Sequence, residues 1–239
     1  MAERTDDRLI VALDFATRRC AADMASELEG VAGFFKLGLS SLAWGGLEFA
    51  AELKKDSKRI FLDLKLFDIG SVVARTVESL NSLGADFLTV HGDPGVVRSA
   101  VSGRGDANTK ILAVTFLTSV DRHDLDAALI KRGAFGDLAC ERATRAIDAG
   151  ADGIIASARE AAAIRAVPGA KDKLIVTPGI RLGIGDRHDQ VRVMTPSAAF
   201  EAGADHIVVG RPIIRSENPV DAAKSILAQL PGTSNRPTG

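Results

Sequence analysis

Short apolar runs rich in Val, Ile, Leu and Phe recur along the whole chain, at Leu9 to Leu13, Gly33 to Leu37, Arg59 to Leu64, Asp86 to Val90, Lys110 to Phe116, Asp152 to Ala156, Lys173 to Val176 and His206 to Val209. None alternates strictly between apolar and polar positions. Such near-continuous hydrophobicity marks strands of a parallel sheet covered on both faces. Between the runs lie segments with helical spacing and Ala, Leu, Glu, Arg and Lys content: Arg18 to Leu28, Leu47 to Leu53, Val72 to Leu83, Ala139 to Ala149, Arg159 to Ala166, Pro196 to Ala202 and Val220 to Leu230. Eight βα units in 239 residues come to roughly 30 residues each, the size at which right-handed crossovers close a (β/α)8 TIM barrel. The competing open, doubly wound sheet announces itself by a GxGxxG turn after its first strand; here that strand ends in Asp14-Phe15-Ala16-Thr17.

Three helical segments end in Gly-Ala-Asp just before a strand, at Gly84-Ala85-Asp86, Gly150-Ala151-Asp152 and Gly203-Ala204-Asp205. The glycine supplies the left-handed residue that ends a helix, so the phrase reads as a repeated αβ turn. No linker-like stretch interrupts the chain, which predicts one barrel domain over residues 1–230 and a polar, disordered tail over 231–239. Lys and Arg total 30 against 31 Asp and Glu, a net charge of -1. That balance provides no basic field for nucleic acid or an anionic membrane. The opening MAERTDDRLIVALDF is too charged, and its apolar run too short, for a signal peptide or a membrane span, so a cytoplasmic protein is expected. Cys20 and Cys140 lie far apart on expected helices and read as packing residues.

In an α/β barrel the functional residues sit at the C-terminal ends of the strands, so charges that end apolar runs carry the information. The first run ends at Asp14, the second contains Lys36, and the third runs Phe61-Leu62-Asp63-Leu64-Lys65-Leu66-Phe67-Asp68. Asp63 and Lys65, two apart on a strand, project to the same side with roughly 7 Å between Cα atoms. Lys36 on the neighbouring strand reaches the same mouth. Burying Lys36, Asp63, Lys65 and Asp68 together is tolerable only if their signs alternate. The array is either a salt-bridge network closing the barrel or a catalytic centre, and its position at the catalytic end favours the centre.

Val176-Thr177-Pro178-Gly179-Ile180-Arg181 follows the seventh run, and Val209-Gly210-Arg211-Pro212 follows the eighth. Those are the two loops that bind phosphate in many barrels, through backbone N–H groups and an Arg that takes two oxygens at once. A phosphorylated small molecule is the expected substrate. His91, His123, His188 and His206 form no HxxxH or HxH pair, so no metal site is called for. His91 either lines the pocket or makes a structural hydrogen bond, and the other three read as solvent-facing or incidental. Trp44, Phe34, Phe35, Phe61 and Phe67 follow strand or helix faces and read as core.

Taken in order, Val11-Ala12-Leu13-Asp14, Phe35-Lys36-Leu37-Gly38, Asp63 to Ile69, Leu117-Thr118-Ser119, Thr177 to Arg181, Gln190, Arg192 to Pro196 and Val208 to Pro212 closely resemble the bacterial orotidine 5′-monophosphate decarboxylase family, from about Leu9 to Leu230. The resemblance implies cofactor-independent decarboxylation of orotidine 5′-monophosphate to uridine 5′-monophosphate. It implies that Lys65 is the proton donor, with Lys36, Asp63 and Asp68 completing a charged tetrad. Asp68 and Ile69 would reach the neighbouring subunit's site, making the protein a homodimer. Asp14 and Lys36 would hold the ribose, Thr118 and Ser119 the pyrimidine edge, and Arg181, Gln190, Gly210 and Arg211 the 5′-phosphate, under a lid running from Arg181 to Gln190. One departure stands out: after Asp-Ile the family commonly continues with two residues and then a Thr that contacts the partner's ribose, and here the run is Gly70-Ser71-Val72. A sugar-phosphate relative, 3-keto-L-gulonate 6-phosphate decarboxylase, shares Asp-x-Lys-x-x-Asp but uses Mg2+, so a metal requirement separates the two. A non-catalytic nucleotide-binding paralogue is the remaining alternative; Val72 hints at it and the intact tetrad argues against it.

Overall fold

The computed structural model describes residues 5–181 and 194–232. Within them, strands β1 (Leu9–Ala12), β2 (Phe34–Gly38), β3 (Arg59–Leu66), β4 (Phe87–His91), β5 (Lys110–Val114), β6 (Gly153–Ile155), β7 (Leu174–Pro178) and β8 (His206–Val209) close one barrel in chain order. Every pairing is parallel, including β1 with β8. Helices Arg18–Glu27, Gly46–Lys55, Gly70–Leu80, Pro94–Arg104, Phe135–Asp148, Ala158–Arg165, Pro196–Glu201 and Pro219–Leu227 follow the strands in turn. The expected (β/α)8 barrel is the observed fold, and each predicted apolar run holds one strand. Gln190, His188 and positions 233–239 of the expected tail lie outside the described residues.

The near-continuous runs conceal a period of two. Ile10, Ala12, Phe34, Phe61, Phe87, Leu112, Val114, Ile155, Val176 and Val208 form a cluster made of strand residues alone, which is the barrel interior. Their neighbours Leu9, Val11, Phe35, Ile60, Leu62, Leu88, Ile111, Ile154, Ile175 and Ile207 belong instead to the layer shared with the helices. Both faces are apolar because both are covered.

At the N-terminal end of the barrel the Gly-Ala-Asp phrase does more than turn the chain. Gly84, Gly150 and Gly203 have φ of 62°, 101° and 96°, as the turn requires. Each following aspartate then joins two strands. The carboxylates of Asp86, Asp152 and Asp205 accept the backbone N–H groups of Ile60, Ile111 and Ile175 at 2.8, 2.9 and 2.8 Å. Each also meets a cation: Arg59 and Lys54 at 3.0 Å on Asp86, Arg104 at 2.5 Å on Asp152, and Arg165 at 2.6 Å on Asp205.

Four expectations need correction. The helix Pro94–Arg104 was not among the segments with helical spacing, because its Val, Ser and Gly content is a poor helix pattern. It forms because Pro94 starts it and because Gly103 lets it press on the preceding helix; a Cβ there would stand 2.1 Å from Ala74 O. Phe67 is 66% exposed, not core. Cys20 is exposed rather than packed, while Cys140 is half-buried; both are free thiols. His206 is packed, not solvent-facing. Its ring meets Phe34 and Phe87 edge-on at 6.0 and 5.2 Å, and Nδ1 lies 2.8 Å from Asp7 O. A carbonyl only accepts, so Nδ1 carries the proton. Burial pushes the imidazole below its ordinary pKa, and the nearby Arg59 charge acts in the same direction. Among the described residues, no helix is long and apolar enough to cross a membrane.

Candidate active site

A cavity of about 550 Å³ opens at the C-terminal ends of the strands. Asp14, Lys36, Asp63, Lys65, Thr118, Ser119, Arg181, Gly210 and Arg211, all expected at the site, border it together. Its charged wall comes from three consecutive strands. Lys36 Nζ donates to Asp14 Oδ1 at 3.0 Å and lies 3.5 Å from Asp63 Oδ2, while Lys65 Nζ lies 2.7 Å from Asp63 Oδ1. The order of charge is minus, plus, minus, plus. Lys36 is 7% exposed, and it is tolerated there because a carboxylate stands on either side.

Asp63 is the pivot of this wall. Burial pushes its carboxyl pKa up, but the Lys36 and Lys65 charges, together with hydrogen bonds from Lys65 and Thr89, outweigh burial and hold it below the ordinary carboxylate value. The carboxylate therefore stays ionised between two ammonium groups.

The backbone beneath it is not the regular strand that a two-residue spacing implies. Leu62 pairs with Leu88 and Leu66 with Val90, so Asp63, Leu64 and Lys65 stand opposite Thr89 alone. Lys65 adopts φ of 47°, a left-handed conformation that costs a non-glycine residue roughly 1–2 kcal/mol. The bulge turns Lys65 so that its ammonium meets the Asp63 carboxylate. Thr89 fills the interrupted ladder: its Oγ1 accepts from Lys65 N and donates to Asp63 Oδ1, both at 2.9 Å. A lone Thr inside an apolar run carries no sequence signal, and the sequence reading missed it.

Asp68 and Ile69 take no part in this cavity. Both are exposed, Ile69 at 69%, where β3 passes into the helix Gly70–Leu80; Asp68 Oδ1 accepts from Ile69 N at 2.6 Å. Asp14 occupies the fourth place in the chain's own array. The second charged region follows β7 and β8. Arg181 is 7% exposed and donates to Ile180 O at 2.8 Å, and its own N–H reaches Met194 O across a short bridge. Arg211 begins the short helix Arg211–Ile214, and Arg215, not anticipated from sequence, also borders the cavity. His91 does not border it. Its Nδ1 lies 2.6 Å from Asp93 Oδ2 and its ring 4.9 Å from that of Phe67, the hydrogen-bonded arrangement expected as one of its two alternatives.

An ammonium held by a carboxylate on one wall and arginines on loops after β7 and β8 suit an anionic, phosphorylated substrate that must receive a proton. The model of the "Orotidine 5'-phosphate decarboxylase / HUMPS family" matches residues 7–226. An orotidine 5'-phosphate decarboxylase of Ruegeria pomeroyi is 56% identical over 226 residues, 94% of each chain. Another from Cereibacter sphaeroides is 54% identical over 227 residues, 95% of this chain and 98% of its own. Among solved structures, orotidine 5'-phosphate decarboxylase from Lactobacillus acidophilus superimposes with a TM-score of 0.81 at 33% identity, covering 94% of this chain and 99% of that one.

Proposed function

The chain belongs to the orotidine 5′-phosphate decarboxylase / HUMPS family, and from that membership we propose how its mouth carries out the reaction. The enzyme converts orotidine 5′-monophosphate to uridine 5′-monophosphate, a step of pyrimidine nucleotide synthesis. The observation that carries the mechanism is the alternating series Asp14, Lys36, Asp63 and Lys65, with Lys65 at its end and on the cavity.

Breaking the bond between C6 and the carboxylate leaves the electron pair on C6 and releases CO2. Lys65 Nζ stands beside C6 as an ammonium, gains attraction as the carbanion develops, and delivers its proton there; solvent then reprotonates it. At 4 Å two unit charges attract by about 4 kcal/mol under an effective dielectric of about 20, and a preorganised charge needs no reorganisation at the moment of reaction. Asp63, ionised at 2.7 Å, pairs with the Lys65 ammonium and fixes its direction. Fixed charge does what an electron-sink cofactor does elsewhere.

Asp14 and Lys36 hold the ribose, Thr118 and Ser119 the pyrimidine edge, and Arg181, Gly210 and Arg211 the 5′-phosphate, with Gln190 joining from the expected lid. Binding the phosphate, which does not react, supplies energy for closing over the reacting carbon. The working unit is a homodimer, in which Asp68 and Ile69 of each subunit complete the partner's site. Their exposure beside Phe67, outside their own cavity, supports that reading.

The test is turnover of orotidine 5′-monophosphate by the purified protein in EDTA, with Lys65→Ala alongside. The wild type is expected to turn over undiminished by the chelator, and the variant to lose more than about three orders of magnitude in kcat. A variant within tenfold of wild type would remove Lys65 from its role, and a wild type silenced by EDTA would move the reaction to the metal-dependent sugar-phosphate class.

A further inference from the structure

We propose that Thr89 is a positioning residue for the proton transfer: its single hydroxyl locks the Lys65 backbone in its left-handed bulge and aims the Asp63 carboxylate at the Lys65 ammonium. The proposal rests on the roles given above to Lys65 and Asp63. Thr89 is fully buried on β4 and does not border the cavity, so it acts through its neighbours and not on the substrate.

The direction of its hydrogen bonds follows from the groups involved. The Lys65 amide can only donate, so Thr89 Oγ1 must accept there at 2.9 Å. That leaves the hydroxyl proton for Asp63 Oδ1, also at 2.9 Å. Oδ1 is the same oxygen that meets Lys65 Nζ at 2.7 Å, so one atom receives both the ammonium and the hydroxyl. The other oxygen, Oδ2, faces Lys36 at 3.5 Å. The threonine thus sets which carboxylate oxygen faces which lysine.

The register explains why this position and no other can do so. Three residues of β3 stand opposite Thr89, and the ladder bonds resume only at Leu66 with Val90. A side-chain hydroxyl therefore stands where a backbone carbonyl would otherwise accept the Lys65 N–H. Without it, a strained residue with φ of 47° would lose the acceptor for its amide in a buried wall. A backbone that relaxes there moves the ammonium away from the reacting carbon, and small displacements cost rate steeply.

Thr89→Val keeps shape and removes the hydroxyl, Thr89→Ala provides a smaller fallback should Val fail to fold, and Thr89→Ser retains the hydroxyl. The expected result for Val or Ala is a fall in kcat of about tenfold to a hundredfold, the range for one lost bond to a charged group, with KM for orotidine 5′-monophosphate within about twofold. The acid limb of the kcat profile should move to higher pH, because Asp63 loses a bond that favours its ionised form. Thr89→Ser should restore kcat and the profile. Full activity in Thr89→Val or Thr89→Ala overturns the proposal. So does an activity loss that Ser does not repair, or one with an unmoved pH profile, since either marks a purely structural threonine. A wild type that fails to decarboxylate the nucleotide overturns the assignment of the reaction itself, and that outcome is read before any Thr89 variant is compared.

Discussion

Val72 is the single side chain on which the proposed partner contact to the ribose turns. It sits half-buried in the first turn of the helix Gly70–Leu80, three residues beyond Ile69, and Ser71 beside it is exposed. In the proposed dimer, a hydroxyl at position 72 would offer the partner's ribose one hydrogen bond, worth about 0.5–1.5 kcal/mol. Val72→Thr is therefore expected to lower KM by roughly twofold to tenfold with kcat unchanged, as measured by initial rates. An unchanged KM would show that the ribose is served from elsewhere. At the opposite end of the barrel, His206 makes stability depend on pH. Its folded pKa is depressed, so the unfolded chain binds a proton that the folded chain refuses. Stability is complete above the unfolded value of about 6.5 and declines as pH falls from there toward the folded pKa, by up to about 1.4 kcal/mol per pH unit. Urea midpoints between pH 8 and pH 5 should show this decline, and His206→Phe should flatten it. Sequence could not reveal the packing of His206, because a polar residue at a strand's start looks the same whether its ring turns in or out. Asp14, Lys36, Asp63 and Lys65 were legible for the opposite reason: each is a charge in or at the end of an otherwise apolar run, where burial demands a partner.

At the scale of elements, the strands were legible because hydrophobic runs survive any detail of packing. The helix Pro94–Arg104 was not, since its Val, Ser and Gly content is a poor helix pattern, and burial of Val96, Val97 and Ala100 and the close approach at Gly103 appear only in the fold. The β3 bulge was equally hidden: a regular strand and a bulged one share the same Asp-x-Lys spacing, and only the pairing with β4 distinguishes them. Gly-Ala-Asp was legible as a turn, but not as a clasp between strands. That clasp predicts a separation of stability from activity. Asp152→Ala leaves the Ile111 N–H and the Arg104 guanidinium without their shared acceptor. Unfolding free energy should fall by roughly 1–3 kcal/mol, about 2–4 °C in Tm per kcal/mol, while kcat and KM at the far end of the barrel stay at wild-type values. A thermal scan beside a kinetic assay tests both halves; a kcat that fell with Tm would contradict the separation.

For the whole molecule, the proposed homodimer is the decisive matter, and its test has a clean arithmetic. Lys65→Ala and Asp68→Ala should each be nearly inactive alone. If Asp68 works across the interface, a mixed dimer of the two variants contains one doubly altered site and one site with both residues intact. Random reassortment of equal amounts makes half the dimers mixed, so about a quarter of wild-type activity should return on mixing. No recovery, with mixed dimers demonstrated, would place Asp68 in its own subunit's site. The protein's net charge of -1 gives no long-range attraction for an anionic nucleotide. Nor does the charged wall of the cavity. A row of alternating charges cancels at a distance, its potential falling faster than that of any one member, and beyond a Debye length of about 8 Å in physiological salt little of it remains. Among the described residues, Arg181, Arg211 and Arg215 also line the cavity, beyond that row. The chemistry proposed for this wall is therefore served by a short-range field, felt by a substrate in the cavity and nearly untouched by bulk salt.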